Sequence, residues 1–134
     1  MTAQVQRFAG PAQFPFSSAT KADGLVYVAG TIAAEGDIRN QTRKVLESID
    51  QALQKAGSSL AMAASIQVYI KNASDFAAMN EVYRTFWKTD PPARTTIVSD
   101  FVVPGALLEI SAIAIPTGGD RQVIHPSSWM KSPN

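Results

Sequence analysis

Hydrophobic and polar positions change their period several times along the chain, and each change predicts a different element. Residues 64–71 alternate, with Ile66, Val68 and Ile70 on one side, as expected for a strand with one apolar face. Residues 107–115 form an almost unbroken apolar run, typical of a central strand covered on both faces. Shorter strands are predicted over residues 5–8, 25–29 and 94–101, the second because β-forming residues dominate it.

Two segments carry the 3.6-residue period of amphipathic helices. The first spans residues 37–56, with Asp37 as a suitable N-cap and Gly57 directly after its end. The second spans residues 75–87, and two prolines a few residues later prevent its continuation. Its apolar stripe favours packing on a sheet over cofactor binding.

The element order β-β-α-β-α-β-β predicts an α/β (α+β) fold in which a mixed sheet carries two helices on one face. The second face of such a sheet has no partner in the same chain. If that face is apolar it must meet another subunit, which favours a closed homo-oligomer. We assign residues 1–116 to the domain and residues 117–134, rich in Pro, Gly and Ser, to a tail or linker.

Composition narrows the possible chemistry. The 134 residues, 46% hydrophobic and 17% charged, fit one globular domain. A net charge of +1 argues against a domain-wide interaction with nucleic acid or an anionic membrane. The lack of cysteine and the single histidine exclude disulfides, thiolate chemistry and multi-histidine metal sites. Without an apolar run of membrane-spanning length or a signal peptide, we expect a soluble cytoplasmic protein.

Two charged residues are the main candidates for chemistry. Glu109 interrupts the apolar run, where an unpaired carboxylate is costly. In a structural role, Glu109 faces solvent or forms an ion pair. In a functional role, it is a partly desolvated carboxylate that acts as an acid–base group. Arg94 follows Asp90-Pro91-Pro92-Ala93 and is either a surface arginine or a planar fork for a carboxylate. If their two strands form a hairpin, Arg94 and Glu109 could approach each other.

Six sequence blocks together resemble the Rid family, also called YjgF/YER057c/UK114. The blocks are Pro15-Phe16-Ser17, residues 25–30, residues 75–83, Pro92-Ala93-Arg94-Thr95, Pro104-Gly105 and residues 109–114. The resemblance covers about residues 5–115. It implies a chorismate-mutase-like fold, a homotrimer with clefts between subunits, and hydrolysis of reactive enamines and imines to 2-oxo acids and ammonia. It implies no metal or organic cofactor.

The resemblance also implies roles for individual residues. Arg94 matches the family arginine that holds the substrate carboxylate, and Glu109 matches the acidic residue that activates water or relays a proton. Asn80 matches the asparagine of the second helix. Gly30 matches the glycine that ends the second strand, where backbone groups face the cleft.

Three predicted substrate-binding positions differ from those of the best-known family members. Phe16 and Ala29 replace a tyrosine and a serine, and Thr96 stands where cysteine is frequent. Because Phe16 and Ala29 each lack a hydroxyl, a less polar cleft is expected. Two alternatives therefore stay open: a deaminase for a larger substrate such as 2-aminomuconate, and a non-catalytic 2-oxo-acid-binding or chaperone-like protein.

Two further questions stay open from the sequence. Ribonuclease activity has been attached to this family, but the net charge of +1 argues against it. Residues 124–134 resemble the opening of a second Rid domain, and the alternative is an ordinary C-terminal tail.

Overall fold

Within residues 4–125, which the computed structural model describes, six strands form one mixed sheet. The strands are β1 (Val5–Phe8), β2 (Ala19–Ala22), β3 (Leu25–Ile32), β4 (Ala63–Ile70), β5 (Ala93–Val98) and β6 (Leu108–Ala114). Their order across the sheet is β1-β2-β3-β6-β4-β5. Strands β4 and β5 pair in parallel, and the other neighbours pair antiparallel. The predicted α+β class with a mixed sheet is confirmed; the end of the predicted tail, residues 126–134, lies outside the described residues.

Two helices of the described chain pack on one face of this sheet, as predicted. Helix α1 (Ile38–Lys55) begins where the Asp37 carboxylate accepts a hydrogen bond of 2.9 Å from the Asn40 backbone N–H. Helix α2 (Phe76–Phe86) is followed by Trp87, whose indole N–H donates to the Leu60 carbonyl at 2.8 Å. Apolar side chains from both helices join the core, and that burial supplies most of the stability of such helices.

The strands alternate between a buried and an open face. In β6, Leu108, Ile110, Ala112 and Ala114 are buried towards the helices, whereas Glu109, Ser111 and Ile113 between them stay half-buried. The central position of β6 was predicted correctly. Its predicted coverage on both faces does not occur in a single chain, because no element of residues 4–125 packs on the second face.

The predicted element order missed one strand, β2. Ala22 pairs with Leu25 across a two-residue turn in which Asp23 and Gly24 have φ angles of 48° and 74°, as a tight hairpin turn requires. The segment Ala19–Ala22 carries no run of β-forming residues, so the expected alternation was absent. The observed order is therefore β-β-β-α-β-α-β-β.

Strands β5 and β6 are not neighbours in the sheet, so the hairpin that would have brought Arg94 and Glu109 together does not form. Helix α2 carries the chain from β4 to β5 in a parallel crossover, and β6 then pairs with the other edge of β4. The buried Gln41 side chain connects the adjoining loops: its amide nitrogen donates to the carbonyls of Gly36 and Gly105, and its oxygen accepts from the Leu107 N–H. These bonds fix the entry into β6, two residues before Glu109.

No helix in the described range is long and apolar enough to cross a membrane.

Candidate functional site

Arg94 lies on the helix side of the sheet, at its β5 edge. It pairs with Ile66 of β4, which is fully buried against the helices, and paired residues point to the same face of a sheet. The Arg94 guanidinium carbon lies 4.7 Å from the centre of the Tyr83 ring and 5.5 Å from that of Phe76. These cation–π contacts hold the guanidinium against α2. Arg94 forms no ion pair with any residue of the described range.

A cleft of about 320 Å³ opens beside this guanidinium. Its lining consists of Asn80, Tyr83, Arg84, Trp87, Pro91, Pro92 and Arg94. Two cationic side chains and one amide thus share the cleft with aromatic and proline surfaces, and none of the lining residues in the described chain is acidic. Such a lining favours a small anion with an apolar part.

Tyr83 forms the buried side of the cleft. Its hydroxyl oxygen is buried and makes no well-formed hydrogen bond with the part of the chain that the structure describes. Burial raises the pKa of the Tyr83 phenol to about 12, and the adjacent Arg94 charge offsets only part of that rise. The phenol therefore stays protonated and uncharged around neutral pH.

Glu109 lies on the opposite, open face of the sheet. It is level with Ile32 of β3 and Tyr69 of β4. A Cβ atom built on Gly30 would lie 2.8 Å from the Glu109 Oε2 atom, so the carboxylate occupies space that only glycine leaves open at this position. The Glu109 side chain therefore lies close to the β3 backbone at Gly30.

Gly30 itself lies inside β3 and does not end it. The strand continues to Ile32, and its pairing with β6 shifts between Val28 and Thr31. Such a bulge interrupts regular pairing, and Gly30 is the exposed residue at this point. The prediction that Gly30 ends the strand was therefore wrong, although its backbone is exposed beside Glu109.

The three remaining predicted site residues are distributed over different parts of the chain. Thr96 pairs with the buried Val68 and so lies on the same side as Arg94. Ala29 is half-buried in β3, and its N–H donates to the Ser18 carbonyl at 3.0 Å. Phe16, in the loop between β1 and β2, is 48% exposed and stacks on Phe14.

The described chain therefore separates the predicted site into two groups. Arg94, Asn80 and Thr96 belong to the helix side, whereas Glu109 and Gly30 belong to the open face. Two strand spacings and an offset of three residues separate the Cα atoms of Arg94 and Glu109 by about 14 Å, and their side chains point to opposite faces. One protomer does not bring them together.

The positions of Phe76 and Tyr83 beside Arg94 were not predicted, because both residues fit the apolar stripe by which α2 packs on the sheet. Phe76, Asn80, Tyr83 and Trp87 follow each other at spacings of four, three and four residues, which places them on one helix face. The polar Asn80 within that stripe was the signal that this face also borders a cleft.

An exposed ion pair joins the two helices away from the cleft. Arg39 of α1 donates a hydrogen bond to the Glu81 carboxylate of α2, and this contact lowers the pKa of Glu81. Within residues 4–125, no group of three or more His, Asp or Glu side chains is placed to hold a metal ion.

The fold and the cleft define a class: an α+β protein with a cationic cleft at the edge of a mixed sheet. Residues 8–116 match the family model described as Endoribonuclease L-PSP. A RutC family protein from Pyrococcus horikoshii is 40% identical over 108 residues, which cover 75% of this chain and 86% of that protein.

Solved structures agree with this match. A member of the YjgF/YER057c/UK114 family from Mycobacterium tuberculosis has a TM-score of 0.79 at 29% identity, over 84% of this chain and 99% of that chain. A Rid family protein of unknown function from Yersinia pestis has a TM-score of 0.72 at 34% identity, over 75% of this chain and 87% of that chain. The chain therefore belongs to the YjgF/YER057c/UK114, or Rid, family.

Proposed function

We propose that this protein is a deaminase that hydrolyses reactive enamines or imines to 2-oxo acids and ammonia. The observation that carries the proposal is the Arg94 guanidinium, which is held on the Tyr83 ring beside a cleft without acidic residues in the described chain. A cation without a carboxylate partner is suited to the carboxylate of an imino acid. Asn80 lines the same cleft and adds an uncharged hydrogen-bonding group.

The complete site is formed between copies of the chain, in a homotrimer. Arg94 and Glu109 point to opposite faces within one protomer, so a site that uses both needs a second copy. The open face carries apolar side chains that support such an interface: Tyr27 is 40% exposed and Ile97 is 48% exposed. Covering this face with a neighbouring protomer would bury these groups and bring its cleft towards Glu109.

In the proposed mechanism, Arg94 binds the carboxylate of the imino acid and fixes the position of its C2 carbon. Water adds to C2 as a proton moves to the imine nitrogen, which gives a carbinolamine. The hydroxyl proton then moves to the amine nitrogen, the C2=O bond forms, and the C–N bond breaks to release ammonia. Glu109 relays these protons; a positioned acid–base group contributes about 10²–10⁴-fold. Imines also hydrolyse without an enzyme, so positioning and one relay group suffice.

A second candidate function is binding of 2-oxo acids without catalysis. The observation that favours it is the loss of two hydroxyls, because Phe16 and Ala29 cannot orient water as tyrosine and serine can. It predicts that 2-oxo acids bind at Arg94 while imine hydrolysis is not accelerated.

The decisive experiment measures ammonia release from freshly generated 2-iminopropanoate and 2-iminobutanoate. Arg94→Ala is expected to lower the rate by about 10²-fold, because the substrate is no longer fixed at C2. Arg43→Ala is the matched control, since Arg43 is an exposed arginine of α1 outside this cleft. Circular dichroism checks that both variants fold, and native mass spectrometry checks for three copies of 14.3 kDa.

Two outcomes would contradict the proposal. Full turnover by Arg94→Ala would show that Arg94 does not bind the substrate carboxylate. If the wild-type protein binds 2-oxo acids but does not accelerate imine hydrolysis, the second candidate function, binding without catalysis, is supported instead.

RNA cleavage is tested in parallel because the matching family model is described as an endoribonuclease.

A further inference from the structure

The cleft contains a second guanidinium in addition to Arg94. Arg84 follows Tyr83 on α2 and lines the same cleft. It is exposed, and no carboxylate of residues 4–125 forms an ion pair with it. Glu81 is the acidic residue whose charge acts on Arg84, but Glu81 is hydrogen-bonded to Arg39 and does not line the cleft.

The two arginines reach the cleft from different elements. Arg94 enters from β5 and is held by the aromatic rings of α2, whereas Arg84 enters from α2 itself. Trp87, Pro91 and Pro92 supply an apolar surface in the same cleft. A volume of about 320 Å³ is at the small end of ligand pockets. The arrangement thus offers two cationic groups and a short apolar wall.

We propose that this cleft selects dicarboxylates, with Arg94 binding the carboxylate beside the reacting carbon and Arg84 binding the carboxylate at the far end. The apolar wall contacts the carbon chain that joins them. The inference rests on the proposed function for the orientation of the ligand at Arg94. It adds a substrate class, an imine or enamine with a second acidic group, and a specificity-determining residue, Arg84.

Two product-like ligands test the second contact directly. 2-Oxoglutarate and 2-oxopentanoate have the same carbon chain and differ only in the terminal group, a carboxylate or a methyl. Isothermal titration calorimetry on the wild-type protein is expected to show about five- to tenfold tighter binding of 2-oxoglutarate, the increment of one partly exposed charge-assisted contact. The preference should shrink with added salt, because an exposed ion pair is screened.

Arg84→Gln removes the charge while keeping a long polar side chain. It is expected to abolish the preference for 2-oxoglutarate and to leave the affinity for 2-oxopentanoate within about twofold. Arg43→Gln removes the same charge from an exposed position of α1 outside this cleft and should preserve the preference. This control separates a local contact from the general effect of net charge.

Equal binding of the two ligands by the wild-type protein would overturn the inference, as would a preference that survives Arg84→Gln or disappears in Arg43→Gln. Failure to bind either ligand would overturn it as well. The proposed function fails separately: imine hydrolysis that does not depend on Arg94 would contradict it, whereas Arg94-dependent hydrolysis without any dicarboxylate preference would leave it standing.

Discussion

The helix-side edge of the sheet and its open face each present one candidate catalytic group, but they hold it in different ways. At the edge, Arg94 rests on side chains of α2 from its own chain. On the open face, Glu109 rests on the bare backbone at Gly30, and no element of the described chain covers it. The first group is positioned by packing within the protomer. The second lies on a surface that a neighbouring protomer would cover in the proposed trimer.

This difference is why the proposed site, which uses both groups, needs two copies of the chain. The side chains beside Arg94 can change without disturbing Glu109, because strand β4 lies between β5 and β6 and the two groups point to opposite faces of the sheet. Variants of the two regions should therefore be separable, and combining them tests whether the regions meet between copies.

The largest expected effect comes from mixing two inactive variants. Arg94→Ala and Glu109→Gln should each lower imine hydrolysis by about 10²-fold alone. When the two are unfolded and refolded together, about a quarter of the clefts between random neighbours combine an intact Arg94 with an intact Glu109. The measurement is ammonia release from the mixture against each variant refolded alone.

Recovered activity near a quarter of the wild-type rate would confirm that the two regions act in different copies. No recovery in a mixture shown by native mass spectrometry to contain mixed trimers would mean that both groups act within one chain. That outcome would contradict the proposed intersubunit site.

A smaller effect is expected from Gly30→Ala, which changes only the open face. The added Cβ would lie 2.8 Å from the Glu109 Oε2 atom, so the carboxylate must move. We expect kcat to fall about tenfold, while binding of 2-oxopentanoate at Arg94 stays within about twofold. Steady-state kinetics and calorimetry measure the two quantities.

Gly24→Ala is the matched control for this substitution. Gly24 has a φ of +74° and no atom within 4 Å of its added Cβ, so alanine there costs about 1 kcal/mol of stability and should not change kcat. Unchanged kcat in Gly30→Ala would show that the close contact does not set the position of Glu109.

Much of the fold could be predicted from the sequence because local patterns matched long-range packing. The alternation at Ile66, Val68 and Ile70 and the N-cap at Asp37 are both present as predicted. β2 was missed because its stability comes from pairing with β1 and β3, which four residues of weak strand pattern do not reveal.

The site was less predictable, because it depends on which faces the side chains occupy. Sequence context and the resemblance both pointed to Arg94 and Glu109, but no spacing along the chain shows that β4 lies between their strands. The contact between Gly30 and Glu109 and the rings beside Arg94 also join residues distant in sequence. Such juxtapositions follow from sheet order, which local periodicity does not encode.

The smallest expected effect concerns the Tyr83 hydroxyl at the edge region. The pKa of this phenol is raised from 10.0 to about 12 by burial, so the unfolded chain loses the proton at lower pH than the folded protein. The resulting stabilisation is complete below pH 10 and is lost as the pH rises from 10 to 12. Tyr83→Phe keeps the aromatic ring under Arg94 but has no phenol to ionise. The melting temperature of this variant should therefore fall less steeply between pH 10 and 12 than that of the wild-type protein.

At neutral pH the same variant should be at least as stable as the wild-type protein, because the buried hydroxyl lacks a well-formed hydrogen bond in the described chain. Tyr27→Phe controls for the loss of a phenol as such, since Tyr27 is 40% exposed on the open face. Thermal melts from pH 7 to 12 measure all three proteins. Parallel curves for the wild type and Tyr83→Phe, or a clear loss of stability at pH 7, would mean that the hydroxyl is bonded in the folded protein and that the edge region holds Arg94 by more than its aromatic rings.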